Sequence, residues 1–312
     1  WIVNEQVVII GAGMAGLTAA RLLRMAGFKP LVLDKGRRPG GRMASRVSRQ
    51  GHTFDHGAQF ISAETTGFQA VLTGAMTTSS LAVWRPGPAQ IQYVGVPTMV
   101  DFALHLSRAI DVRQNIEVTG IEPDGSNWRV LFEGGDIRVP RLILAIPAPQ
   151  AEKLLGAHPF AAEVAKVSMA PCLTLMAAYS GATDAPYPSR RDNDDDLAWI
   201  AHDSSKPERE PGARFVAQAS EKFSWLHLEK DKDAFAALML PLLSEALGRD
   251  PKDAVFTAGH RWRYARAVRP LGVPCLADES ASLLVGGDWC LGETVEAAWE
   301  SGVAMAERVI LS

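Results

Sequence analysis

The residues whose types and spacing best suit chemistry are Gly11, Ala12, Gly13, Met14, Ala15 and Gly16, with an acid, Asp34, further on. The apolar run Val7 to Ile10 precedes the glycine turn. Leu17, Ala20 and Leu23 follow it at helical spacing, with Gly27 as a stop. A second strand, Pro30 to Leu33, ends at Asp34, so strand, turn, helix and strand have the order and size of a dinucleotide-binding unit. Each glycine has its own duty. The first permits a tight turn, the second lets backbone approach a diphosphate, and the third lets helix and strand pack closely. The helix start adds free N–H groups and about half a positive charge. Asp34, with Lys35 beside it, then meets the ribose, whose hydroxyls a carboxylate accepts.

Directly after comes Gly36-Arg37-Arg38-Pro39-Gly40-Gly41-Arg42, a basic, flexible loop in which Arg42 is placed to neutralise one diphosphate charge. Further on, Trp262 and Tyr264 stand at strand spacing and are expected on one face, among Arg261, Arg263 and Arg266. His56 reads as a satisfied structural histidine. Lys206, in a Ser-Ser-Lys-Pro turn, reads as a surface lysine. Asp192 to Asp196 mimics a calcium loop, but Leu197 replaces the required glycine, so no metal site is expected.

Together these blocks resemble the flavin-containing amine oxidase superfamily. Gly40-Gly41-Arg42 is similar to its second glycine signature, Asp55-His56-Gly57-Ala58 to its Asp-x-Gly-Ala segment, and Val285 to Gly302 to its C-terminal block. The chain looks closer still to the renalase family, especially bacterial members. Gly57-Ala58-Gln59-Phe60, Ser205 to Arg209, His260 to Arg266 and Gly287 to Leu291 carry that likeness. The resemblance implies non-covalent FAD. Gly41 and Arg42 then continue the binding fingerprint, Gly57 and Ala58 pass near the flavin ring, and Gly287 and Asp288 hold the ribityl chain. The helix carrying Val295 and Ala298 points its N-terminus at the flavin pyrimidine, where negative charge accumulates on reduction.

The same resemblance implies oxidation of dihydro isomers of NAD(P)H, with hydride passing to FAD and electrons to oxygen to give hydrogen peroxide. A flavin amine or amino-acid oxidase is the alternative, and a flavin-holding protein without turnover a second. Gln59, at the ring edge, and Trp262 and Tyr264, as walls over the isoalloxazine, are the candidate catalytic residues. The expected partners are a small dihydronicotinamide dinucleotide or amine, and oxygen. The arginines near Trp262 would draw a substrate's phosphates. Cys290 is read as a packed residue and not a covalent flavin link.

These groups need an α/β scaffold: a Rossmann-type FAD-binding domain, parallel sheet with β-meander, interleaved with a smaller α+β substrate domain. The first takes residues 1–62, 94–150 and 276–312, the second 63–93 and 151–275. Strands are expected at Thr53 to Asp55, Ile116 to Ile121, Trp128 to Phe132, Ile137 to Val139, Leu142 to Ile146, Cys172 to Tyr179, Arg214 to Ala219 and Ser282 to Val285. Helices are expected at Pro97 to Ile110, Ala234 to Leu247 and Val295 to Ile310, while Ile61 to Trp84 is weakly patterned. At 47% hydrophobic and 21% charged, the 312 residues suit an ordinary globular protein of two domains. A net charge of −3 gives no field that favours nucleic acid. The apolar runs are strand-length, so no membrane span is expected. Three scattered cysteines and an N-terminus, Trp1 to Gln6, without a secretory pattern point to the cytoplasm.

Overall fold

The computed structural model describes residues 5–85 and 91–312, so the part of the N-terminal reading that rests on Trp1 to Asn4 lies outside the described residues. Six strands form the first sheet, in the order Leu276–Ala277, Leu283–Val285, Arg141–Leu144, Gln6–Ile10, Lys29–Leu33 and Asp111–Arg113. All pairs are parallel except the first. Its central strands are unbroken apolar runs because both faces are covered, and Val7, Val8 and Ile9 are wholly buried.

Over one face lie the helices Met14–Met25 and Val295–Ile310. They approach closely at Gly302, where a Cβ would come within 2.4 Å of the Ala15 carbonyl oxygen. Against the other face packs an antiparallel meander, Val118–Asp124, Asn127–Phe132 and Gly135–Val139, whose Trp128, Val130 and Val139 join Val8, Ile10 and Leu142 in one apolar cluster. Thr294 starts the C-terminal helix, its hydroxyl accepting from Ala297 N at 3.0 Å. Thr294→Ala is expected to cost about 1 kcal/mol, read as a lower urea midpoint at unchanged m-value.

A second, five-stranded antiparallel sheet runs Ser189–Arg191, Trp199–His202, Ala213–Gln218, Ser168–Tyr179 and Ala254–Arg269. Leu173, Leu175, Ala177 and Phe215 face Phe223, Phe235, Met239 and Leu243 of the helices Glu221–Leu226 and Lys232–Leu247. The alternate residues face the other way. There Met176, Ala178 and Val216 enclose the wholly buried Phe54 of the hairpin Ser45–Val47 and Thr53–Asp55, with Phe256 stacked on it at 5.4 Å. The hairpin is thus anchored on the second sheet, and its last residue, Asp55, opens the Asp-x-Gly-Ala segment.

Two sequence expectations are corrected. Ile61 to Trp84 contains a helix, Thr66–Thr77, whose buried stripe Phe68, Leu72 and Ala75 is diluted in the sequence by Gly67 and Gly74. The helix expected over Pro97 to Ile110 spans only Met99–Leu106, because Thr98 and Asp101 cap each other's backbone and set its start. Among the described residues, no helix is long and apolar enough to cross a membrane.

Candidate active site

The glycine turn is shaped by contacts that only glycine tolerates. Gly11 has φ +107°, and a Cβ there would lie 2.4 Å from the Ala145 carbonyl oxygen; at Gly16 one would lie 2.0 Å from that of Gly11. Gly13 differs. Its Cβ would meet nothing within 4 Å, and its backbone is extended, with φ −78° and ψ −176°. No side chain caps the helix that begins there, and the space beside Gly13 at its start is open. An uncapped helix start with an open approach fits a diphosphate. Asp34 braces this cradle, Oδ2 accepting from Ala12 N at 2.7 Å and Oδ1 from Gly36 N at 2.6 Å. Lys35 lies exposed, 3.5 Å from Glu117.

Three of the expected blocks converge on Arg42. Its guanidinium grips Asp288 at 2.7 and 2.5 Å and donates to the Ala265 carbonyl at 3.0 Å. Arg42 therefore turns toward the C-terminal block in this structure. Its carbonyl accepts from Ala58 N at 2.8 Å, and a Cβ on Gly57 would lie 1.9 Å from that oxygen. A Cβ on Gly41 would lie 3.5 Å from the Cα of Gly13. Gly287 N donates to Ser301 Oγ at 2.9 Å, joining the Gly-Asp turn to the helix that carries Val295 and Ala298. Cys290 is fully buried, and burial pushes its thiol up to about 12, which keeps it protonated.

Gln59 is buried and turned inward, Nε2 donating to the carbonyls of Asp55 at 2.5 Å and Gly57 at 3.0 Å. Gln218 donates a further hydrogen bond to Gly57 O at 2.8 Å. Beneath this turn lies a group that sequence reasoning misplaced. Lys206 is no surface residue: its side chain is 0% exposed and pairs with Asp203 at 2.6 Å and Asp55 at 3.2 Å. Arg209 joins from the same loop, 2.6 Å from Asp55. Burial by itself would raise the pKa of Asp55, but the charges of Lys206 and Arg209 overcome it and hold that carboxyl well below its ordinary range. For Asp203 burial prevails, and its pKa rises.

Trp262 and Tyr264 share a strand but not a neighbourhood, because the pairing with Ser168–Tyr179 shifts register between Ala170 and Cys172. Trp262 stacks on His56 at 5.4 Å and donates its indole N–H to His56 O at 2.8 Å. Tyr264 packs into the cluster containing Met169, Ala267 and Trp289. The arginine rim is compensated locally: Arg263 pairs with Glu229, Arg266 with Glu221 and Glu293, and Arg261 donates to the Lys230 carbonyl.

His260 completes an aromatic trio, 4.6 Å from His56 and 4.3 Å from Trp262. Burial lowers both histidines, His56 to about 4 and His260 to about 3, with Arg46 and Lys232 adding to the effect and Asp55 opposing it at His56. Because the folded pKa values lie below the ordinary imidazole value of 6.5, protons bind the unfolded chain first. Stability is complete above pH 6.5 and falls as pH drops toward about 4, by an expected amount on the order of 3 kcal/mol for His56 alone. Urea melts across that window check this, and His56→Gln should flatten the slope.

Comparison with known proteins places these features in context. A family model for an NAD(P)-binding Rossmann-like domain matches residues 9–73, and one described as flavin containing amine oxidoreductase matches residues 99–310. The chain is similar to 4,4'-diapolycopene oxygenase of Methylomonas sp, 38% identical over 72 residues, which cover 23% of this chain and 14% of that protein. The match thus spans well under two thirds of that curated relative. Among solved structures, a protein assigned as a protoporphyrinogen oxidase from Exiguobacterium sp. 255-15 aligns over 100% of both chains, with TM-score 0.79 and 13% identity. Cyclohexylamine oxidase from Brevibacterium oxydans IH-35A aligns over 99% of both, with TM-score 0.75 and 15% identity. At such identities the likeness is one of fold.

Proposed function

This chain belongs to the flavin containing amine oxidoreductase family, a family of FAD-dependent oxidoreductases, and from that premise we propose that it oxidises dihydro isomers of NAD(P)H. FAD, when bound, would supply two-electron redox chemistry between the donor and oxygen, with hydrogen peroxide as the reduced product. The chain's own residues bind and orient. In this reading Gly11 to Gly16 hold the diphosphate, Asp34 and Lys35 flank the ribose, Gly41 and Arg42 close the cradle, and Gly287 and Asp288 meet the ribityl chain. Gly57 and Ala58 lie against the ring, with the helix start near Val295 and Ala298 at its pyrimidine edge. The donor enters between the FAD-binding unit, 1–62, 94–150 and 276–312, and the unit formed by 63–93 and 151–275, where Trp262 is the aromatic wall. Gln59 acts through the shape of its turn, since its amide is spent within it. Tyr264 supports the same strand from the other cluster.

One observation carries the choice of donor. His56, His260 and Trp262 form an uncharged wall, while Arg42, Asp55, Asp203, Lys206 and Arg209 are already paired with one another or with backbone. A dihydropyridine is an activated hydride donor and needs no base, which suits that wall. Amine oxidation is the second reading, favoured by the family match. Air-saturated assays separate them: hydrogen peroxide formed in equal amount to NAD(P)+ from the dihydro isomers supports the first, and peroxide formed only with amines supports the second.

A further inference from the structure

Four charged side chains lie almost wholly out of water beneath the turn Asp55 to Gln59. The side chains of Asp55, Asp203, Lys206 and Arg209 are 0%, 1%, 0% and 4% exposed. Three come from one loop, Asp55 from a strand about 150 residues away, and their arms reach several other segments. Asp55 Oδ1 accepts from Met99 N at 2.9 Å and Ser45 Oγ at 2.6 Å, while Oδ2 faces Lys206 and Arg209. Asp203 Oδ2 accepts from Asp55 N at 3.1 Å. Arg209 donates to the carbonyls of Gly95, at 3.0 Å, and of Pro97. Lys206 Nζ lies 3.4 Å from Gln59 Oε1 and 5.5 Å over the Trp84 ring. One ammonium therefore touches both ends of the turn, Asp55 and Gln59.

Stability does not account for such a network, because desolvating two ion pairs costs about what their attraction returns, and apolar replacement is often neutral or better. Geometry does account for it. With Oε1 toward Lys206, the amide of Gln59 must point Nε2 at the carbonyls of Asp55 and Gly57, which leaves the turn one shape.

We propose that Lys206 and Asp203 are positioning residues for the flavin, fixing through Asp55 and Gln59 the turn against which the isoalloxazine lies. The proposal rests on the flavin reading above, so FAD binding by the wild-type protein is measured first; a wild type that takes up no FAD overturns that reading and this one with it. Two variants then test the clamp. Lys206→Met/Asp203→Leu removes one charge of each sign, so Asp55 and Arg209 stay paired; Asp203→Asn is isosteric. Both are expected to keep the far-ultraviolet circular dichroism of the wild type. Both should bind FAD about tenfold more weakly, the equivalent of ~1.4 kcal/mol. They should also change the visible circular dichroism of bound flavin and shift its midpoint potential. Wild-type affinity, flavin dichroism and potential in both variants would overturn the proposal. So would a loss of melting temperature alone, or failure of both to fold, since the network would then serve the fold only.

Discussion

Gly13→Ala is expected to leave the fold and its stability within about 0.5 kcal/mol of wild type while weakening FAD binding ~100-fold. The asymmetry follows from the cradle. A methyl group at Gly13 meets no protein atom within 4 Å, and the backbone there is one that any residue adopts. The helix start, already without a side-chain cap, loses nothing. What the methyl does occupy is the approach to the first N–H groups, where a diphosphate must come within hydrogen-bond distance. Gly16→Ala supplies the contrast. Its methyl would strike the Gly11 carbonyl at 2.0 Å, so strand and helix must part and both stability and FAD binding fall. Fluorescence titration with FAD and urea melts of the two variants check the pair; equal FAD affinity for Gly13→Ala and wild type would mean that the diphosphate lies elsewhere.

The second large effect is expected at Asp288. Its side chain is 6% exposed and holds both arms of Arg42, which is 30% exposed. Asp288→Ala leaves a half-buried guanidinium without its partner, at an expected cost of about 2 kcal/mol, below the range for fully buried pairs because water still reaches Arg42. If Asp288 also accepts from the ribityl hydroxyls, the loss of a charged acceptor adds about 1.5–3 kcal/mol, or ~10- to 100-fold in the FAD dissociation constant. Arg42→Lys tests the geometry separately. Lysine keeps the charge but cannot make the two parallel bonds, so part of both losses should appear. Melting curves and FAD titrations distinguish the two contributions, and Asp288→Ala with unchanged FAD affinity would remove the ribityl role.

The cradle was legible because its logic is local. Strand, three glycines, helix and acid follow within one short stretch, and Gly16 meets its contact, the Gly11 carbonyl, inside it, while Gly11 meets Ala145 and Gly13 leaves its space open. The C-terminal helix and the strand Thr53–Asp55 fall where their patterns put them. Lys206 was not legible, because one of its two acids, Asp55, lies 151 residues away, and the other, Asp203, sits in the same polar turn, which resembles any exposed loop. The separation of Trp262 from Tyr264 has a similar cause. Alternation along a strand holds only while the ladder is regular, and here Trp262 and Arg266 pair with Cys172 and Ala170, so extra residues on the strand itself break the ladder around Tyr264 without any mark in the sequence. His260 went unnoticed as a site residue because its partner His56 lies far away along the chain.

The donor is the central claim, and anaerobic stopped-flow mixing tests it most directly. FAD-loaded protein mixed with the dihydro isomers of NAD(P)H should lose its flavin absorbance rapidly, and ordinary amines should bleach it little. Bleaching by amines or amino acids but not by the isomers would contradict the account.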